Sequence, residues 1–137
     1  MEIKVSNAST ENGRILITVM HIDGDLDSAS YPDFQKKANE LVKNGARYIL
    51  IDFSHSSYVS SAGLRALNQL FKDLNSIHQD TAPSDQDVKK GINEGTYTSP
   101  YLKVVNISNG TKTVFKETGF DMYIEVFDDM KKAIASF

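Results

Sequence analysis

The sequence lacks residues on which several classes of protein depend. Its 137 residues include no cysteine, which excludes disulfides, zinc knuckles and thiol chemistry. No apolar run approaches the roughly 20 residues that span a bilayer, and the amino terminus lacks the charged-then-apolar pattern of a signal peptide. We therefore expect a cytoplasmic protein that does not span a membrane.

An excess of positive charge is also missing. Lys and Arg number 15 against 18 Asp and Glu, a formal net charge of −3 at pH 7. Nucleic-acid-binding domains present a basic face, so no nucleic-acid partner is predicted. The 40% of hydrophobic and 24% of charged residues are typical of a globular chain with a core. Residues 1–137 are predicted to form a single domain.

Segments with strand character recur along the chain. An alternating run at 3–5 and a branched run at 14–22 flank Asn12-Gly13, a pair that favours a tight reversal, so an N-terminal β-hairpin is predicted. The nearly continuous apolar run 48–53 predicts a central strand that is covered on both faces. Further strands are predicted within 101–107 and 123–126.

Helices are predicted between these strands from apolar residues at three- and four-residue spacing. The first follows Ser30 and ends near Gly45, the second begins at Ser61, a short one ends at Gly119, and the last is capped by Asp128. The resulting order is β-β-α-β-α-β-α-β-α. It predicts an α/β fold with a mixed, largely parallel β-sheet flanked by about four helices.

The stretch at about 76–100 interrupts the pattern. Pro83, Gly91, Gly95 and Pro100 stand among mostly polar side chains. We predict a flexible insertion there that buries little apolar surface.

The sequence does not match the motifs of several kinds of functional site. Asp23, Asp25 and Asp27 alternate as in a calcium loop, but Ser28 and Phe34 occupy the positions where such a loop needs glycine and glutamate. The acidic residues are therefore interpreted as a solvated loop.

The motifs of a phosphate-binding loop and of a hydrolase nucleophile elbow are also incomplete. The segment 110–113 lacks the spacing of a phosphate-binding loop, and 60–63 lacks the leading glycine of a nucleophile elbow. His21, His55 and His78 are isolated in sequence and not at the spacing of a zinc helix. No metal, cofactor or catalytic residue is predicted.

What remains is a pair of serines where a loop meets the second helix. Ser60 lies near the N-cap and Ser61 in the first turn. One interpretation is a cap alone, because serine is a favoured capping residue. The other is that Ser61 accepts phosphate, whose negative charge a helix N-terminus favours. The sequence leaves both open.

Three segments together resemble the STAS domain, found in bacterial anti-sigma factor antagonists and at the cytoplasmic end of sulfate transporters. They are 22–27 (IDGDLD), 49–53 (ILIDF) and 58–67 (YVSSAGLRAL), in the family's order. The resemblance implies a non-enzymatic regulatory binding module that acts by partner switching. The implied partner is an anti-sigma factor that is also a serine kinase, and phosphorylation weakens binding to it.

The resemblance also implies which residues form the site. Aligned on the family pattern D-S-S-G-L, Ser61 takes the place of the phosphorylated serine, while Ser60 replaces the aspartate and Ala62 the second serine. Ser60 thereby becomes a second candidate acceptor. The implied partner-binding residues are Asp25, Asp27, Ser60, Ser61, Gly63, Leu64 and Arg65.

Two alternatives stay open, and the replacement of the family aspartate by Ser60 supports the first of them. One is an accessory subunit of a transporter or signalling assembly that is not phosphorylated, and the other is a STAS domain that binds nucleotides.

Overall fold

A five-stranded mixed sheet forms the centre of the computed structural model, which describes residues 1–78 and 84–137. The strands lie in the order β1-β2-β3-β4-β5. β1 and β2 are antiparallel, and every later pair is parallel. The strands are β1 Glu2–Ser9, β2 Leu16–Asp23, β3 Ile49–His55, β4 Leu102–Val105 and β5 Val126–Phe127. The predicted hairpin, central strand and mixed sheet are confirmed.

Five helices within residues 1–78 and 84–137 flank the sheet, where the sequence predicted about four. They are α1 Tyr31–Lys43, α2 Ser61–Ile77, α3 Asp85–Glu94, α4 Asn109–Thr118 and α5 Met130–Ala135. The cap predicted for the last helix was wrong by one residue, because Asp129, not Asp128, accepts the N–H of Lys132, at 3.1 Å. The strand predicted within 123–126 starts only at Val126 and has two residues, after a 3₁₀ turn at Phe120–Met122.

Helix α3 corrects part of the prediction for 76–100. Ser84 caps this helix by accepting the N–H of Asp87, and Gly95 ends it in the left-handed conformation. Val88 is buried, and Gly91 lies so close to Tyr97 that an added Cβ would be 2.7 Å from the Tyr97 Cβ. No helix was predicted here because Gly91, which the close approach to Tyr97 requires, is a residue that in sequence indicates a helix break. Residues 79–83 of the predicted insertion lie outside the described residues.

The two faces of the sheet are covered unequally. The larger hydrophobic cluster joins one face, including Ile49, Ile51 and Phe53 of β3, to residues from α1 to α4. A smaller cluster joins Leu50 of the opposite face to Ala133 of α5. Since α5 has six residues, it reaches only part of that second face.

Candidate functional site

Two loops pair with each other at the carboxyl ends of β2 and β3. The Leu26 N–H donates to the Tyr58 carbonyl at 3.0 Å, and the Ser60 N–H donates to the Leu26 carbonyl at 2.9 Å. The loop that enters α2 is thereby held against the loop that leaves β2. We call residues 24–30 and 56–65 together the α2 rim.

The two serines at the start of α2 have different environments. Ser60 is the N-cap: it is half-buried, and its Oγ accepts the N–H of Gly63 at 3.3 Å. Ser61 is the first helical residue and is exposed. Within residues 1–78 and 84–137 its hydroxyl has no hydrogen bond. The structure therefore uses the Ser60 hydroxyl for capping and presents that of Ser61 to solvent.

Gly63 and Leu64 face the interior. A Cβ added at Gly63 would lie 2.5 Å from the Leu26 carbonyl oxygen and 3.0 Å from Cγ1 of Val59. Leu64 is buried in the larger core cluster. Both were predicted to bind a partner. In the isolated chain they pack α2 against Leu26 and Val59, and their contact with a partner stays a prediction.

Asp27 organises the turn before α1. Its Oδ1 accepts the N–H groups of Ala29 and Ser30 at 3.0 and 3.1 Å, and its backbone carbonyl accepts the N–H of Tyr31 at 2.8 Å. These bonds give this carboxylate a structural role whether or not it also contacts a partner.

Asp25 links the two loops of the rim. Its Oδ1 accepts the Ser57 hydroxyl at 2.9 Å, and the Ser57 carbonyl in turn accepts the hydroxyl of Ser108, beyond β4, at 2.8 Å. Asp25 is exposed, so one of its sides orders the loops while the other faces solvent.

The exposed groups of the rim lie around Ser61. Arg65 is exposed one helical turn further along α2, on the same face as Ser61. Tyr58 is 43% exposed. The rim thus includes an exposed hydroxyl, guanidinium, phenol and carboxylate, a mixture suited to a polar protein interface.

The second face of the sheet carries a polar cluster that the sequence analysis missed. Asp52 of β3 is 7% exposed, and its Oδ2 lies 2.8 Å from Nδ1 of His21 on β2. Its carboxylate also accepts the N–H of Ser54 at 3.0 Å and the Ser54 hydroxyl at 3.2 Å, with the Asn106 amide at 3.5 Å. Burial alone would raise the pKa of Asp52, but these hydrogen bonds together hold it below its ordinary value of 3.8.

The cluster continues onto β1. The Ser6 hydroxyl lies 2.8 Å from the other ring nitrogen of His21, Nε2. No spacing in the sequence brings residues 6, 21 and 52 together. Only the strand pairing does, since His21 pairs directly with Asp52 and lies diagonal to Ser6, which pairs with Val19.

Residues 1–78 and 84–137 contain neither a metal-binding cluster nor a membrane-spanning helix. No group of three or more His, Asp or Glu side chains is arranged to hold a metal ion. No helix in this part of the chain is long and apolar enough to cross a bilayer.

Comparison with protein families assigns the chain. The profile of the STAS domain matches residues 8–80, more than half of the sequence. The chain therefore belongs to the STAS domain family. A search among curated protein sequences gave no significant match.

Solved structures agree on the fold. An anti-sigma factor antagonist from Mycobacterium paratuberculosis superposes with a TM-score of 0.66 at 15% identity, covering 98% of this chain and 93% of that one. A Thermotoga maritima protein provisionally assigned to the same class gives 0.67 at 14%, covering 95% and 91%. The Bacillus cell fate determinant SpoIIAA in its phosphorylated form gives 0.61 at 16%, covering 97% and 96%. At these identities the likeness establishes a shared fold.

Proposed function

We propose that this protein is a partner-switching regulator that docks an anti-sigma factor of the serine kinase type through the α2 rim. In this proposal the unphosphorylated protein binds the kinase and frees a sigma factor, in the cytoplasm where both act. Phosphorylation of Ser61 then weakens docking.

The observation that carries the proposal is the exposed, unbonded hydroxyl of Ser61 at the first position of α2. A kinase must reach the acceptor oxygen, and Ser61 offers it without breaking a hydrogen bond of the described fold. Ser60 would have to give up its bond to the Gly63 N–H to react. We therefore assign Ser61 as the main acceptor and Ser60 as the lesser one.

The effect of the phosphate follows from its charge. A phosphoserine carries about −1.5 to −2 charges, and the N-terminus of α2 together with Arg65 stabilises that charge in the free protein. A partner surface that fits a neutral hydroxyl would instead have to remove water from the phosphate dianion. Any carboxylate opposite would also be repelled by its charge, so binding is weakened. The switch therefore acts mainly on the complex and leaves the fold unchanged.

The test is phosphorylation by the anti-sigma factor kinase of the same organism with ATP, mapped by mass spectrometry. We expect phosphate on Ser61 in the wild type and none there in Ser61→Ala. Ser76→Ala, at an exposed position near the other end of α2, is the matched control and should be phosphorylated normally. If neither Ser61 nor Ser60 is phosphorylated in the wild type, the proposed phosphorylation switch is wrong.

Binding is measured in the same system by calorimetry. Ser61→Glu should weaken docking by about tenfold or more, and Ser61→Ala should not. Ser60→Asp restores the aspartate of the family pattern and preserves the cap. Ser61 of this variant should therefore be phosphorylated at least as fast as Ser61 of the wild type.

An accessory role without phosphorylation is the second candidate, and the replacement of the family aspartate by Ser60 favours it. A pull-down that recovers a transport subunit and no kinase would support this role. A nucleotide-binding role predicts a heat of binding when the protein is titrated with ATP or GTP in a calorimeter. A titration without a heat of binding would exclude this role.

A further inference from the structure

We infer that Ser6, His21 and Asp52 form a serine nucleophile site that accepts acyl groups from activated esters. The site is separate from the α2 rim, and the inference does not depend on the proposed function. It rests on the geometry of three side chains on three neighbouring strands.

The two contacts of the site have the arrangement of a Ser-His-Asp triad. Ser6 Oγ lies 2.8 Å from Nε2 of His21, and Nδ1 of the same ring lies 2.8 Å from Oδ2 of Asp52. A nucleophile, a base and an orienting carboxylate within hydrogen-bond reach of one another are the features by which triads are recognised, independently of sequence order.

The charge of Asp52 selects the tautomer that a base needs. An ionised carboxylate only accepts hydrogen bonds, so Nδ1 of His21 must carry the proton that it shares with Asp52. In the neutral form of the ring the lone pair is then on Nε2, which can accept a hydrogen bond from the Ser6 hydroxyl. Ser54 and Asn106 hold the same carboxylate from its other sides, which keeps the imidazole in one orientation.

The site is open to a reactant. Ser6 is exposed on the edge strand β1, and the His21 side chain is 34% exposed, whereas that of Asp52 is 9% exposed. The reacting oxygen therefore faces solvent while the orienting carboxylate is covered. Because solvent screens the charge that develops on the reacting atoms of an exposed site, we expect acylation to be slow.

The step balances without a further reactant. Ser6 Oγ forms a bond to the carbonyl carbon of the ester as its proton passes to His21 Nε2. The bond from that carbon to the leaving oxygen breaks, and the leaving alcohol takes the proton from the imidazole. The products are O-acylated Ser6, the free alcohol and the original neutral His21.

The experiment treats the whole protein with a fluorophosphonate probe, which reacts with activated serines with loss of fluoride, and maps the labelled peptide. A second arm follows acetyl transfer from 4-nitrophenyl acetate through release of nitrophenolate. We expect label on Ser6 in the wild type and none at that position in Ser6→Ala. Ser9→Ala, exposed on the same strand, is the matched control and should react like the wild type.

His21→Gln distinguishes an activated serine from a merely exposed one. Loss of the base should slow labelling of Ser6 by about 100-fold or more, and Asp52→Asn should also slow it because the wrong tautomer is favoured. Circular dichroism checks that each variant is folded, and His21→Gln decides the matter if Asp52→Asn unfolds. An unlabelled Ser6, or a Ser6 that labels equally fast in His21→Gln, would overturn the inference.

Discussion

Gly63 gives the sharpest test of how the α2 rim is built. Replacing a helical glycine with alanine normally stabilises a protein by up to about 1 kcal/mol, because the unfolded chain loses freedom. Here the added Cβ would lie 2.5 Å from the Leu26 carbonyl oxygen, 2.9 Å from the Leu26 Cγ and 3.0 Å from the Val59 Cγ1. The nearest atom belongs to the backbone and cannot rotate away, so the helix or the loop must move.

The expected cost exceeds the normal gain. Forcing an extra carbon into a packed interior costs about 1–3 kcal/mol. A shift of the Leu26 carbonyl also strains the bond that it accepts from the Ser60 N–H, whose net value is about 1 kcal/mol. We therefore expect Gly63→Ala to lower the free energy of unfolding by about 1–3 kcal/mol. At about 4 °C per kcal/mol for a chain of this size, Tm should fall by about 4–12 °C.

Urea unfolding followed by circular dichroism measures this difference, and Gly110→Ala is its matched control. Gly110 lies in the first turn of α4, where the nearest atom to an added Cβ is the Ser108 Oγ at 4.0 Å. That variant should be as stable as the wild type or slightly more so. A Gly63→Ala protein that matches Gly110→Ala would refute the argument that close approach dictates glycine at position 63.

Other parts of the fold give further predictions. Ser60→Ala should lower thermal stability by about 0.5–2 kcal/mol through loss of the N-cap, whereas Ser60→Asp should not; equal stability of the two variants would exclude capping. Val88→Ala should cost about 1–2 kcal/mol in urea unfolding because α3 buries this side chain, while exposed Lys89→Ala should stay within about 0.5 kcal/mol; an equally small effect of both would contradict the packing of α3. Because the folded-state pKa of Asp52 is depressed, its stabilisation is present above the ordinary value of 3.8 and is lost as the pH falls through the lower folded value. The stability advantage of the wild type over Asp52→Asn should therefore shrink on acidification, and an advantage that stays constant from neutral to strongly acid pH would show that Asp52 does not titrate in this way.

The unequal covering of the sheet separates its two polar regions. The α2 rim lies where the loops after β2 and β3 meet α2, which packs on the face that carries the larger hydrophobic cluster. The cluster of Ser6, His21 and Asp52 lies on the other face, where the short α5 leaves polar side chains accessible. A partner bound at the rim and a reagent bound at the cluster would therefore meet different surfaces, which allows the two proposals to be tested separately.

The elements that the sequence predicted well are those whose signal is local. Asn12-Gly13 marks the hairpin, and the apolar run around β3 marks a strand covered on both sides. The stripe of leucines on α2 and the serine before it mark that helix and its cap. In each case hydrophobic periodicity or backbone preference acts over a few neighbouring residues, so it can be read without knowing the partner of the segment.

The features that the sequence predicted poorly depend on tertiary contacts. The buried side of α3 is small. At Gly91 the helix lies close to Tyr97 because this residue has no side chain. Such a contact is indistinguishable in sequence from a flexible glycine. The same holds for Gly63, where the close approach of Leu26 and Val59 explains the residue only once the loops are in place.

The sequence by itself determined the class of fold, the start of α2 and the serine pair there, because strand and helix periodicity and capping are local properties. The tertiary structure decided that Ser61 is exposed while Gly63 and Leu64 are buried, since only packing determines which face of α2 is covered. It also brought Ser6, His21 and Asp52 together, because strand register couples residues that are far apart along the chain.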